Sequence, residues 1–196
     1  MSPPTTLERL AARVREEGAP LVVRPAGDSG FGPDPLGQLA ASGPRSSARA
    51  AQYAFIVEAV REGYLCHYGR SRLLDEPDSD LALLAGDLFY AIGISGLAEL
   101  NDLESTGILS DLIRVAAELQ AAGRPDLAGV IWLSQIVALA CGKDEEQAKA
   151  VEALGAGEAA AAEALEAWSR ATADSHGAGR AFENARTAID SRPSNP

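Results

Sequence analysis

Apolar residues recur at three- and four-residue spacing through most of this chain, a period that predicts helices. Leu7, Leu10, Ala11 and Val14 form the first stripe, so a short helix is predicted over 7–17, capped by Thr5 or Thr6 and ended by Gly18. A longer helix begins near Ser46. On it Tyr53, Ile56, Val57, Val60, Tyr64 and His67 share one face, while Gln52, Glu58, Arg61 and Glu62 share the other, polar side. Gly69 stops it, and after a loop over 70–77 Asp78 or Ser79 caps the next helix.

That next helix, over 80–100, is apolar nearly all round: Leu81, Leu83, Leu84, Leu88, Phe89, Ile92, Ile94 and Leu97. Such a pattern predicts burial on several sides, and this helix is expected to be the most buried of the chain. Ala82, Gly86 and Gly93 fall close to one of its faces. Each glycine costs about 1 kcal/mol of helix propensity relative to alanine, which points to close approach by another helix backbone.

Asn101 or Asp102 caps a fourth helix to about 122, with its seam at Ile108, Leu109, Leu112, Val115, Ala116 and Leu119 and a surface pair Arg114–Glu118. A turn at Gly123-Arg124-Pro125 leads to a nearly wholly apolar, central helix over 127–141. A sixth helix follows, thins at Gly155-Ala156-Gly157 and continues over 158–173, and a last helix covers 178–189. Only Leu21-Val22-Val23 reads as a short strand.

Residues 18–47 break the pattern, with Pro20, Pro25, Pro33, Pro35 and Pro44 interleaved with glycines. They predict a long irregular arm anchored by Leu21, Val22, Val23, Phe31, Leu36 and Leu39. The expected fold is therefore all-α: a single-domain helical bundle of about six to seven helices with a long irregular N-terminal arm. Residues 1–47 make the short helix and arm, 48–190 the bundle, and 191–196 a disordered tail.

Aromatic residues are only 5% of the 196, so the core must be built from Ala, Leu, Val and Ile, which favours close-packed helices over a β-sandwich. Net charge is −11 and the only lysines are Lys143 and Lys149. A chain this acidic, with no basic stripe, is not expected to bind nucleic acid or anionic lipid. Cys66 and Cys141 show neither metal spacing nor a disulfide framework, which suits a reducing, cytoplasmic setting. The N-terminal residues lack the basic and apolar regions of a signal peptide. The run 127–141, interrupted by Ser134 and Gln135, is shorter than the ~20 residues of a membrane span, so none is expected.

Candidate chemistry centres on Tyr64, His67, Tyr68, Asp87 and Tyr90. His67 stands on an apolar face near a helix C-terminus, where a cation is favoured by the dipole. Asp87 has Leu83, Leu84, Tyr90 and Ala91 as helical neighbours, so its carboxylate is expected at a wet edge or bonded to Tyr64, Tyr68 or an arginine. No Glu-x-x-His pair, P-loop or dinucleotide loop is present. Gly30-Phe31-Gly32 lies between prolines and is not a phosphate loop. His176 sits in a polar turn. No catalytic residue, metal ligand or cofactor is assigned.

The segment 53–120 resembles the trans-isoprenyl diphosphate synthase superfamily. Leu84-Ala85-Gly86-Asp87-Leu88-Phe89 matches the Leu-Ala-Gly-Asp-Tyr-Leu that opens one of the family's helices, and His67 falls at the family's histidine. Tyr68 and Gly69 stand where two magnesium-binding aspartates would be, and no second aspartate motif follows. Lys143-Asp144-Glu145-Glu146 reads instead as the acidic opening of a helix. The resemblance implies a non-catalytic relative, similar to the small regulatory subunit of two-component prenyl synthases. The expected role is association: a homodimer, or a partner of another helical subunit, with the arm embracing the dimer or closing over the helices. Two alternatives are an apolar, isoprenoid-like small molecule held near Gly86, Ala91 and Gly93, and an enzyme with an unfamiliar site around His67 and Asp87.

Overall fold

The three-four stripes become helices in the computed structural model, which describes residues 3–27 and 30–190. Nine α-helices form among the described residues: α1 (Thr6–Glu17), α2 (Pro35–Ser42), α3 (Ala50–Tyr68), α4 (Ser79–Leu100), α5 (Leu103–Ala121), α6 (Ala128–Cys141), α7 (Glu145–Gly155), α8 (Ala159–Ser175) and α9 (Gly179–Asp190). Side-chain caps set several starts. Thr5 makes a reciprocal capping box with Glu8, Asp78 caps α4, Asp102 caps α5 and Asp144 caps α7. Asn101, in the left-handed region at φ 53°, ends α4 and turns the chain into α5.

The all-α class holds, but two expectations need correction. The bundle has more than six to seven helices, because Glu145–Gly155 and Ala159–Ser175 are separate elements and because the supposed arm contains α2. Pro35 occupies the first turn of α2, where its missing N–H costs nothing, and Leu36, Leu39 and Ala40 are buried against α3 and α6. Gly37 is no breaker here: a Cβ would lie 2.9 Å from the Glu58 Cγ, so the glycine lets α2 approach α3.

The described residues Leu21, Val23 and Phe31 of the former arm pack on this chain's own smaller apolar cluster. Val23 bridges Leu74, Arg24 N–H donates to the Leu73 carbonyl (2.9 Å) and Phe31 is buried. The strand pattern at 21–23 thus yields one isolated bridge. The expected tail, 191–196, lies outside the described residues.

Two apolar clusters hold the fold. The larger is built on α6 and α3 and reaches α2, α5, α7, α8 and α9; the smaller joins α1, Phe31, Leu73 and Leu74 to Ala59, Cys66, Ala85 and Phe89. Correspondingly, α6 and α3 are the most buried helices, not α4. In α4 only Ala85, Gly86, Phe89, Gly93 and Leu97 are buried, while Leu83 and Leu84 are 48% and 67% exposed. The reason is that α4 packs chiefly on α3, and on α5 near its end, leaving its outer side uncovered.

The glycine reading of α4 holds. A Cβ on Gly86 would sit 2.6 Å from His67 Nε2, and one on Gly93 2.5 Å from Val60 Cγ2. From the other side, a Cβ on Gly63 would meet the Tyr90 ring at 2.6 Å. Small residues on both helices therefore bring α3 and α4 close together.

Candidate functional site

That close approach assembles the aromatic cluster. Tyr64, His67 and Tyr68 end α3, while Asp87 and Tyr90 sit in the middle of α4. The His67 ring lies against Gly86 and stacks on Tyr90 (centroids 5.3 Å, planes 16° apart). Its Nε2 is 3.3 Å from Asp87 Oδ1. Tyr68 lies 5.8 Å from His67 and 5.2 Å from Tyr64, and the Tyr64 hydroxyl accepts from Gln120 Nε2 at 2.7 Å. All five candidates thus come together, and Asp87 stands at the wet edge, 75% exposed, beside His67 rather than a tyrosine or arginine. His176 is exposed, with Nδ1 2.9 Å from the Thr172 carbonyl oxygen.

The chemistry of this cluster is modest. The Asp87 side chain is 75% exposed, so its pair with His67 is a rim contact of little energetic weight. Burial, then the neighbouring Tyr68 and Tyr64, hold the Tyr90 phenol above its ordinary pKa, which keeps it neutral. Cys66 is buried, and burial followed by the Glu62 charge pushes its thiol up to about 12. That is the opposite of an activated thiolate.

Two polar networks escaped the sequence reading. Glu58 and Glu62 were placed on the polar side of their helix, yet both are fully buried and Arg61 is 3% exposed. The cover is α2 and the loop 70–74. Arg72 reaches both carboxylates at 2.6 Å, Nη2 to Glu58 Oε2 and Nε to Glu62 Oε1. Gly37 N–H donates to Glu58 Oε1 (2.7 Å), while the Ser71 hydroxyl and Arg72 N–H donate to Glu62 Oε2 (2.7 and 3.0 Å). Every carboxylate oxygen is satisfied, so this is a joint between α2, α3 and the loop rather than a set of open ligands. Burial alone would lower the Arg72 pKa, but the two carboxylates more than offset it and hold the guanidinium charged. Arg61 lies over the Tyr64 and Trp132 rings at 5.0 and 4.6 Å. The available signal was Glu58 and Glu62 at i, i+4, followed by an arginine-bearing loop long enough to fold back.

The second network surrounds Asp102. It accepts from Tyr53 OH (2.6 Å), Ser105 N (3.0 Å), Ser105 Oγ (2.6 Å) and Arg45 (3.2 Å). Burial would raise its pKa, but the Ser105 bonds, the Tyr53 bond and the Arg45 charge outweigh that and lower it to about 2. This ties the α2–α3 connection to the α4–α5 turn.

A groove of about 450 Å³ lies between α1, α3 and α4, floored by Phe55, Ile56, Leu88, Ala91 and Ile92 and walled by Arg9 and Arg13. None of the five cluster residues lines it. Of the small residues expected to leave ligand space, only Ala91 borders it; Gly86 and Gly93 are filled by His67 and Val60. Among the described residues no three His, Cys, Asp or Glu side chains are placed to hold a metal ion.

The chain matches no family model, no curated protein and no solved structure. The magnesium that the isoprenyl synthase resemblance implies does not fit this site. Tyr68 is a phenol in an aromatic stack, Gly69 offers no side-chain carboxylate, and the nearby Asp87 faces His67. One helix, α4, is long and apolar enough to cross a membrane (22 residues, mean hydropathy 1.7), a test that packing helices of water-soluble proteins also pass. This helix is longer than the apolar run 127–141 on which the expectation of no membrane span rests.

Proposed function

We propose that this chain is a helical association protein whose working surface is the outer side of α4. The observation that supports this reading is an apolar helix left uncovered: Leu84 is 67% exposed, and Ala91, Ser95 and Ala98 are exposed beyond it. The exposed charges of α4 are confined to Asp80, Asp87 and Glu99, and an exposed apolar patch beside them marks an interaction site. The partner is a second copy or another helical subunit. Sedimentation equilibrium of the full chain and of Leu84→Glu tests the reading. Assembly at tens of micromolar that the variant abolishes supports it; equal behaviour of the two proteins counts against it.

The groove beside Ala91 favours a second reading, an apolar small molecule lying across Phe55, Ile56 and Leu88. Saturable binding of a dansyl-labelled isoprenoid alcohol, lost in Ala91→Trp, would support that reading. No isoprenyl condensation is proposed. Incubation with allylic and homoallylic diphosphates and Mg²⁺ is expected to give no product above the protein-free control, and product formation would reopen the reading of an enzyme around His67 and Asp87.

A further inference from the structure

Resting on the association reading, the geometry points to a specific occupant and pose: a second copy of this chain packs its α4 antiparallel against this one across a twofold axis. The outer stripe of α4 is Leu81, Leu84, Leu88, Ala91, Ser95 and Ala98, alternating three- and four-residue steps. Leu81 and Leu88 are half-buried and the other four are exposed. This is the spacing of a helix–helix seam, and no charged side chain interrupts it; the charged residues of α4 are Asp80, Asp87 and Glu99.

The stripe is large in its first half and small in its second. With the twofold axis midway between Leu88 and Ala91, Leu81 comes opposite the partner's Ala98, Leu84 opposite the partner's Ser95 and Leu88 opposite the partner's Ala91. Every leucine then faces a small residue, and the groove gives the incoming side chains depth. A parallel pairing sets leucine against leucine at one end and leaves the small residues facing each other at the other. An isologous contact needs one surface that complements itself, which this gradient supplies.

Charge selects the same orientation. The chain entering α4 is acidic, with Asp75, Glu76, Asp78 and Asp80. Beside the other end of α4 stand Arg9 and Arg13 on the groove wall and Arg49, whose guanidinium donates to the Leu100 carbonyl at 3.2 Å. Glu16 and Glu17, both paired with Arg13, and Glu99 on the groove wall balance those three arginines, so that end is near neutral. Antiparallel copies keep the two acidic entry segments apart at opposite ends of the seam, whereas parallel copies bring them together.

The test is disulfide trapping in the full chain. Leu84→Cys and Ser95→Cys are purified separately, mixed, equilibrated and oxidised gently, then run on a non-reducing gel. Antiparallel pairing brings the two positions within the 4.4–6.8 Å Cα separation a disulfide needs. The mixture is expected to give a cross-linked dimer as the major species, while each variant alone and the unsubstituted chain stay uncross-linked. Cross-linking of Leu84→Cys with itself would overturn the antiparallel pose. A chain that sediments as a dimer but yields no mixed cross-link would overturn it too, while leaving the association reading standing. A chain that sediments as a monomer would overturn the pose and the second-copy form of the association reading, and one that floats with phosphatidylcholine vesicles instead of dimerising would overturn both.

Discussion

Two helices of this molecule are almost equally apolar in sequence and stand in opposite surroundings. In α6 twelve of fourteen residues are buried, and in α4 five of twenty-two. α6 is packed by α2, α5, α8 and α9, and its two polar interruptions, Ser134 and Gln135, are both bonded by Gln147 from α7. Among the described residues, α4 has α3 beneath it and α5 near its end, and its outer side is uncovered. An apolar helix covered all round is a core element, whereas one covered on a single side is a surface with an unmet requirement. Composition cannot separate the two cases, because it counts apolar residues without counting neighbours.

The sharpest test of the buried member is Trp132, 1% exposed on α6, with its ring edge-on to Tyr64 at 5.6 Å and under the Arg61 guanidinium. Trp132→Ala should cost about 3–5 kcal/mol, read as a lower denaturation midpoint in urea. A loss under about 1 kcal/mol would mean the centre of the bundle collapses easily around the vacancy. Gly86→Leu probes the one side of α4 that is covered. The new side chain would enter the space of the His67 ring, and overpacking should cost about 1–3 kcal/mol. An unchanged melting temperature would show that α3 and α4 are not so close.

How much of this was legible follows the reach of each signal. Caps and stripes are local, so the main helices, the Asp78, Asp102 and Asp144 starts and the Arg114–Glu118 pair (3.0 Å) could be read from neighbouring residues. So could the tight packing at Gly86 and Gly93. Helix α2 was lost because proline and glycine density outweighed a correct short pattern, Pro35 in the first turn followed by Leu36, Leu39 and Ala40. Burial of Glu58 and Glu62 was lost because their partner, Arg72, arrives across a loop, and i, i+4 carboxylates look like a solvated side until that loop folds back. The five-residue aromatic cluster was legible as a location, since α3 and α4 flank one short loop. The pairing of Asp87 with His67 depends on which rotamers the glycines admit, and no residue pattern carries that.

Acid should loosen the end of α4. Asp102 holds the α4–α5 turn, and its pKa is depressed to about 2 from the ordinary carboxylate value near 4. A depressed folded-state pKa contributes stability that is present above the unfolded value and disappears as pH falls through the folded one. The contribution, no more than about 2.5 kcal/mol and less once solvent screening of this partly exposed group is counted, should therefore be complete above about pH 4 and vanish between about pH 4 and 2. Asp102→Asn should flatten the stability profile in that window. A wild-type profile with the same slope as the variant would show that Arg45 and Tyr53 do not hold the carboxylate in solution.

The smallest expected effect separates a bare surface from a covered one. Leu139 on α6 is fully buried, and Leu139→Ala should cost about 2–5 kcal/mol at any protein concentration. Leu84 on α4 is 67% exposed in the single chain, so Leu84→Ala should change the unfolding free energy of the isolated chain by less than about 0.5 kcal/mol. If a second copy covers Leu84, binding stabilises the folded state by mass action, and the wild-type melting temperature rises with protein concentration. The cost of Leu84→Ala should then grow as the protein is concentrated and vanish on dilution, while that of Leu139→Ala stays constant. Melting both variants and the wild type across a wide range of concentration reads this directly. A Leu84→Ala effect that is large and independent of concentration would mean that α4 is covered within the chain itself, and the contrast between α4 and α6 would fall.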